Sequence, residues 1–229
     1  MDEPQQLQFA DYWPAPAVLE HLRDVVLLAV VGPSGVGKTM LIQRAMEQDP
    51  ALHLVVVETS RPARADERDG VDYRFRARSE MLQRIERREY VQVAPSVLGN
   101  VYATAPESYT AHGLSVMAVI ADAMPAFRAL PFRAIRTIFI APPSWAAWNA
   151  RLQKHGFTPG QRTKRLAEAR RSLAFGLRDS AVTYIVNDDV ATAAAELLSM
   201  AHGHPLTPKL QAAQPIARAI LRDLLAQLG

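Results

Sequence analysis

Short apolar runs rich in Val and Ile alternate along the chain with longer segments whose apolar positions recur at helical spacing. The runs are Val25 to Val31, Leu52 to Val57, Ser115 to Ile120, Ile135 to Ile140 and Val182 to Val186. Continuous apolar runs of this length suit strands buried on both faces, and their alternation with helices predicts an α/β fold, a five-stranded parallel sheet flanked by helices. The first helix is expected from about Lys38 to Gln48, where Asp49-Pro50 ends it because a residue before proline is pushed out of the helical region. From about Ser60 to His112 the pattern changes to short alternating pieces, Val71 to Phe75, Tyr90 to Ala94 and Val101 to Thr104, separated by charged stretches. This reads as a small subdomain, about residues 60–112, inserted between the second and third strands.

After the fourth strand comes the basic stretch QKHGFTPGQRTKR, with two glycines and a proline, which reads as a mobile lid at about 154–165 leading into a helix from about Gln161 to Leu177. Beyond His204-Pro205, residues Ile216, Ile220, Leu221, Leu224, Leu225 and Leu228 recur at helical spacing. Such a stripe is expected to pack on its own domain, with a homo-oligomer contact through this C-terminal helix as the lesser reading. The chain thus divides into an N-terminal extension (1–23), a main domain (24–204) and a C-terminal helical extension (205–229).

Composition narrows the function classes. With 229 residues, 49% hydrophobic and 21% charged, the chain has the make-up of an ordinary globular protein. The formal charge of +3 is a weak field for this length, which does not favour nucleic acid; the positive residues gather in a few segments, which points to a local anionic ligand. The absence of cysteine excludes a disulfide framework, a cysteine nucleophile, a thiolate zinc site and an iron-sulfur cluster. The longest apolar run is far short of the roughly 20 residues of a membrane helix. The N-terminal stretch MDEPQQLQFADYWP is acidic and polar where a signal peptide is basic and then apolar, so a cytoplasmic protein with no membrane partner is expected.

The chemistry starts at Gly32-Pro33-Ser34-Gly35-Val36-Gly37-Lys38-Thr39, which fits the phosphate-loop spacing GxxxxGK(S/T) without departure. The glycines let successive backbone amides turn onto phosphate oxygens, Lys38 carries its ammonium to the terminal phosphates, and the Thr39 hydroxyl can ligate magnesium. An apolar run before it and a helical pattern after it supply the context that the motif needs. Mg2+ with ATP is the expected cofactor and donor. Further on, Thr59-Ser60-Arg61-Pro62-Ala63-Arg64 places two arginines three apart across a proline, suited to gripping a second phosphate, with a nearby tyrosine in Asp69-Gly70-Val71-Asp72-Tyr73-Arg74-Phe75 able to complete the grip.

In order, GPSGVGKT, TSRPARADERDGVDYRF, LGNVYAT, VIADAM, RLAEARRSL and VNDD make the chain resemble the guanylate kinase family over about Val25 to Met200. The resemblance implies a P-loop kinase fold with an acceptor-binding subdomain and a lid, and transfer of the γ-phosphate of ATP to a small phosphorylated acceptor, GMP or dGMP first. It implies that Arg61, Arg64, Tyr73 and Tyr102 hold the acceptor's phosphate, that Thr104 lies beside the acceptor base, and that Asp122 is the aspartate in the turn after the third strand. Arg165 matches an arginine that closes on the transferring phosphates, and Asn187, in the NDD block, matches a position by the donor adenine. Lys38, Arg61 and Arg165 are therefore the expected catalytic cations; Gly32, Ser34, Gly35, Val36, Gly37, Lys38, Thr39 and Asn187 are the expected ATP-binding set.

The base-reading positions depart from the family pattern. Gln92 stands where the family has a glutamate that accepts from two guanine donors; an amide offers one acceptor and one donor, so it cannot satisfy both through one edge. Val57 and Glu58 replace small hydroxyl residues, Ala103 a glycine, Ser172 the glutamate of the RLxxAxxE helix and His155 a lid arginine, for which Lys154 or Arg162 can supply charge. One extra residue lies near Pro95-Ser96. A weak or altered base preference is expected, with two alternatives: a kinase for another phosphomonoester such as a ribose bisphosphate, and a non-catalytic guanylate-kinase-like binding module. The GVDYRF block and the paired arginines speak against the first, and the presence of Lys38 and Thr39 against the second.

Overall fold

Val26–Val31 (β1) is buried along its whole length, which is why its sequence carries no alternation: neither face meets water. Each such Val or Leu removed from water is worth about 1.5–3 kcal/mol, so this strand is a natural centre for a sheet. The computed structural model describes residues 11–65, 67–95, 100–154, 156–204 and 209–228. In chain order the elements are Pro16–Leu22 (α1), β1, Lys38–Met46 (α2), Leu52–Leu54 (β2), Glu58–Thr59 (β3), Arg74–Phe75 (β4), Arg78–Glu86 (α3), Gln92–Pro95 (β5) and Val101–Thr104 (β6). Then follow Leu114–Ala118 (β7), Met124–Ala129 (α4), Ala134–Ala141 (β8), Trp145–Lys154 (α5), Pro159–Arg178 (α6), Val182–Val186 (β9), Val190–Ala201 (α7) and Lys209–Leu228 (α8). The five-stranded parallel sheet has the order β2-β7-β1-β8-β9, and a second, four-stranded sheet has the order β4-β3-β6-β5.

The chain forms two compact units. One comprises Met1–Val26, His53–Ser115 and Ala126–Ala134, the other Leu27–Leu52, Val116–Pro125 and Ile135–Gly229. In the second unit α2 packs on α7, and α8 packs on α6, β9 and α5. The buried positions of α8 are Ala213, Ala217, Ile220 and Leu224, a face turned from the expected stripe because alanines allow the helix to approach closely; Leu225 is exposed. The C-terminal stripe is thus used inside its own unit. No helix among the described residues is long and apolar enough to cross a membrane.

The run Leu52 to Val57 does not make the single strand expected of it. β2 ends at Leu54 and β3 opens the other sheet, because the intervening carbonyls are taken elsewhere: Val56 O accepts from the Ser108 hydroxyl at 3.2 Å and Val57 O from Arg74 N–H at 2.9 Å. Val71 to Phe75 is likewise mostly a turn. Gly70 N–H donates to Tyr73 O at 2.8 Å and the Asp69 carboxylate accepts from Phe75 N–H at 2.8 Å, leaving Arg74 and Phe75 to pair. Tyr90 and Val91 fall outside β5 because the Tyr12 hydroxyl takes both backbone groups of Tyr90, donating to its carbonyl at 2.7 Å and accepting from its N–H at 2.9 Å. The charged stretch before it contains α3, which supplies Met81 to a core of Tyr90, Val93, Val101, Ala103 and Ala105. α2 stops at Met46, and α6 starts at Pro159 with a Thr158–Gln161 capping box, two residues before the expected start.

The first unit also buries a charge. Glu58 is fully buried, accepting from the Tyr90 hydroxyl at 2.7 Å and from Arg84 at 3.1 and 3.2 Å, while Arg84 also reaches Glu107 at 3.0 Å and lies 4.5 Å over the Tyr90 ring. Burial and the neighbouring carboxylate push the Tyr90 hydroxyl well above its ordinary range, so it stays a donor. Glu58→Ala leaves the Arg84 guanidinium without its buried partner, and a destabilisation of about 3–5 kcal/mol is expected. Urea unfolding followed by circular dichroism measures it; a loss below about 1 kcal/mol would show that the network is incidental.

Candidate active site

In the second unit, the backbone that links β1 to α2 folds back on itself. Gly32, Gly35 and Gly37 all have positive φ, and at two of them space decides the residue as much as conformation does. A Cβ on Gly32 would lie 2.5 Å from Ile140 O, and one on Gly37 would lie 2.6 Å from Asn187 Nδ2. The loop's carbonyls point into the protein and are matched there by donors. Lys38 Nζ donates to Gly32 O at 2.6 Å and Pro33 O at 3.0 Å, the Trp148 indole N–H to Ser34 O at 2.9 Å, and Asn187 Nδ2 to Val36 O at 2.7 Å. Arg151 reaches Val36 O at 3.5 Å and Asn187 O at 3.0 Å, and Leu41 N–H closes on Gly37 O at 3.0 Å.

Burial lowers the Lys38 ammonium to about 8, a shift that Glu168 opposes and Arg165 reinforces. Thr39 is exposed at the second residue of α2. Arg165 is exposed on α6 with its guanidinium 5.5 Å over the Phe157 ring, and Arg162 ties α6 to α5 through Asn149 at 2.7 Å. The expected lid therefore consists of the end of α5, a short link and the first turns of α6; His155 lies outside the described residues. Asp122, in the 3-10 turn after β7, pairs with Arg171 of α6 at 2.8 Å beside a cavity of about 670 Å³ lined also by Phe175 and Arg178.

In the first unit, strand register collects the expected acceptor residues. Gln92 lies opposite Thr104, and Tyr102 lies opposite Thr59, which in turn lies opposite Phe75. Opposite residues share a face and the side-chain period along a strand is two, so Gln92, Thr104, Tyr102 and Thr59 line one face. At its end the Arg61 guanidinium lies 4.7 Å over the Tyr73 ring, with the Tyr73 and Tyr102 rings 6.2 Å apart edge to face. Glu58 lies opposite Ala103, on the other face. Thr104 is buried and accepts from the Tyr109 hydroxyl at 2.9 Å, and the Gln92 amide donates to Val93 O at 3.0 Å, which leaves its oxygen as the acceptor for a ligand. Arg64 is exposed. Gly99 and Ser96, with the extra residue near them, lie outside the described residues.

Two residues that hold the loop, Trp148 and Arg151, carry no readable motif, whereas a third, Glu168, does. Trp148 is fully buried, and its partner, a backbone carbonyl 114 positions away, leaves no mark in the sequence. Glu168 does leave one, since it precedes Ser172 by one helical turn.

A strand, a glycine loop whose amides open onto one side, a lysine at the head of the following helix and a parallel sheet define a phosphate-loop nucleotide-binding protein. The guanylate kinase family model matches residues 23–202. The chain is 37% identical to the guanylate kinase of Symbiobacterium thermophilum over 184 residues, covering 75% of this chain and 82% of that one. It is 35% identical to that of Maricaulis maris over 203 residues, covering 86% and 91%. The crystal structure of guanylate kinase from Anaplasma phagocytophilum shares the fold, with a TM-score of 0.55 at 20% identity over 81% of this chain and 88% of that one. The chain belongs to the guanylate kinase family and is a phosphotransferase. Neither alternative function finds support in these relatives.

The Arg61–Glu67 pair makes stability depend on pH. Glu67 clamps Arg61 through contacts of 2.5 and 2.6 Å and accepts from Arg64 N–H at 2.9 Å; these hold its carboxyl at about 2, against an ordinary 4.5. A depressed folded value means that the contribution to stability is present above the ordinary value and lost as pH falls towards the folded one. The stability difference between the natural protein and Glu67→Gln is therefore expected to be constant above about pH 5 and to shrink between about 4.5 and 2. Urea midpoints across that range test it, and a difference independent of pH would refute the pairing.

Proposed function

We propose that the protein transfers the γ-phosphoryl group of ATP to the phosphate of a guanine nucleotide, GMP or dGMP, at reduced base selectivity. The observation that carries this reading is that one chain holds two separate phosphate grips: the glycine loop with Lys38, and Arg61 with Tyr73 and Tyr102 on one face of the second sheet. Phosphoryl transfer needs two such grips and little else, because catalysis is mostly positioning and charge neutralisation.

In this reading the donor's phosphates take the loop amides, and Lys38 turns from Gly32 O and Pro33 O onto the terminal phosphates. The Thr39 hydroxyl, with no cluster of three potential ligand side chains among the described residues, suits a magnesium ion that draws most of its ligands from phosphate and water. When bound, magnesium neutralises charge on the β- and γ-phosphates. Arg61 exchanges Glu67 for the acceptor's phosphate, joined by Arg64, Tyr73 and Tyr102. An oxygen of that phosphate, already ionised at neutral pH, attacks the γ-phosphorus in line as its bond to the bridging oxygen of ADP breaks, so no general base is required. Arg165 is the cation suited to the charge on the transferring group. Gln92 and Thr104 read the base, and Asp122, which pairs with Arg171 in the second unit, is assigned to the acceptor set by the family pattern alone.

The test is ADP release from Mg-ATP against a panel of nucleoside monophosphates and ribose 1,5-bisphosphate, with Lys38→Ala as the blank. GMP and dGMP are expected to turn over, with other bases discriminated against more weakly than a two-acceptor pocket would allow; turnover confined to a non-nucleotide acceptor would sink the reading. Gln92→Glu restores the second acceptor for guanine and is expected to raise kcat/KM for GMP by about tenfold, the equivalent of one recovered hydrogen bond. A fall in kcat/KM on that change would show that the base is read elsewhere.

A further inference from the structure

Glu168 belongs to none of the positions through which the chain resembles its family. It stands on α6 one turn before Ser172, where the family has a glutamate, and the Ser172 hydroxyl is buried with no hydrogen-bond partner among the described residues. The carboxylate instead reaches the glycine loop: its Oε2 accepts from Ser34 N–H at 3.3 Å. Lys38, Arg165 and Arg171 favour its ionised form, and Glu168 in turn favours the charged form of Lys38. Burial works the other way and raises its carboxyl above the ordinary range. An amide N–H, an ammonium and nearby guanidinium groups are the surroundings that a phosphate oxygen takes in such a loop, and a carboxylate satisfies them for the same reason.

We propose that Glu168 is a resident anion of the donor-phosphate cradle, held on Ser34 N–H in the empty protein and displaced when nucleotide phosphates enter. The proposal rests on the reading of the loop as the donor site. One N–H cannot serve two anions, and an ionised carboxylate left beside an incoming phosphate repels it. A triphosphate that meets Lys38 and several loop amides overcomes this competition, while a single phosphate with few contacts does not. Glu168 thereby sets a threshold that keeps inorganic phosphate out of the loop and lowers affinity for ATP without acting on the transition state. Competition of this kind appears in KM and not in kcat.

Glu168→Gln keeps the shape and an accepting oxygen but removes the charge; Glu168→Ala removes the group. Calorimetric titration with Mg-ATP and with inorganic phosphate, together with steady-state kinetics, distinguishes the outcomes. Both variants are expected to bind ATP more tightly by about tenfold, with phosphate becoming a measurable competitor and the gain in kcat/KM coming through KM. Thermal unfolding of each variant checks that the fold is intact. Unchanged or weaker ATP binding in folded variants overturns the proposal while leaving the loop reading in place, provided that the natural protein binds ATP and Lys38→Ala does not. If the natural protein binds no ATP, or Lys38→Ala binds it equally well, the loop reading fails and the proposal with it.

Discussion

A loop that turns its amides onto a ligand must turn its carbonyls the other way, into the protein, where each needs a donor. That constraint organises the second unit. Gly32, Pro33, Ser34, Val36 and Gly37 find their donors in Lys38, Trp148, Asn187, Arg151 and Leu41, drawn from α2, from α5 and from the end of β9. Asn187 is itself fixed by its N–H on Ala141 O at 2.8 Å, so the ends of two neighbouring strands, β8 and β9, hold the loop. The motif supplies the shape of the loop and distant residues supply its rigidity. A glycine at position 37 is required not only by its φ but because Asn187 already fills the space that a side chain would need.

The proposed function sets the first unit a different problem, which is to offer cations and a base-reading surface from a sheet whose strands are only two to four residues long. Its two faces divide the work. Arg61, Tyr102, Thr104 and Gln92 share one, and the Glu58–Arg84–Tyr90 network holds the other. A short sheet has few ladder hydrogen bonds, and the buried Glu58 adds side-chain bonds to Arg84 and Tyr90 that a shifted register would break. Tyr12 adds to this from outside the region that the family model matches, by occupying both backbone groups of Tyr90 two residues before Gln92. Burial raises its hydroxyl to about 12, which keeps the donor in place at any physiological pH.

What the sequence made legible follows from this division. Strands buried on both faces announce themselves as unbroken apolar runs, and β1, β7, β8 and β9 lie within one or two residues of expectation. The phosphate loop is legible because its function needs particular residues at consecutive positions. The second apolar run misled, since Val55 to Val57 are as apolar and β-branched as a strand but the carbonyls of Val56 and Val57 bond to Ser108 and Arg74, partners fixed only by the fold. α3 was hidden because a helix with one fully buried side chain, Met81, shows almost no periodic signal. Trp148, Arg151 and Tyr12 act through backbone groups, which every residue has, so their roles have no sequence pattern at all. Gln92, Tyr102 and Thr104 were found by resemblance, and only the strand register explains why three residues spread over thirteen positions form one surface.

Arg61 and the glycine loop each hold a carboxylate, and the proposed function makes each of them a phosphate grip. Glu67 sits on Arg61 in one unit, and Glu168 sits on Ser34 N–H near Lys38 in the other. Cations gathered to bind phosphate repel one another when nothing is bound, and partial burial of Lys38 makes that repulsion more costly by weakening the screening by water. An internal carboxylate relieves that repulsion. Binding then becomes an exchange of one anion for another, and its strength is a difference between two attractions. A phosphate with more charge and more oxygens than a carboxylate wins that exchange through the contacts the carboxylate cannot make. Under the proposed function the arrangement gives up ground-state affinity, because the contacts that each carboxylate makes have to be broken before phosphate can take them.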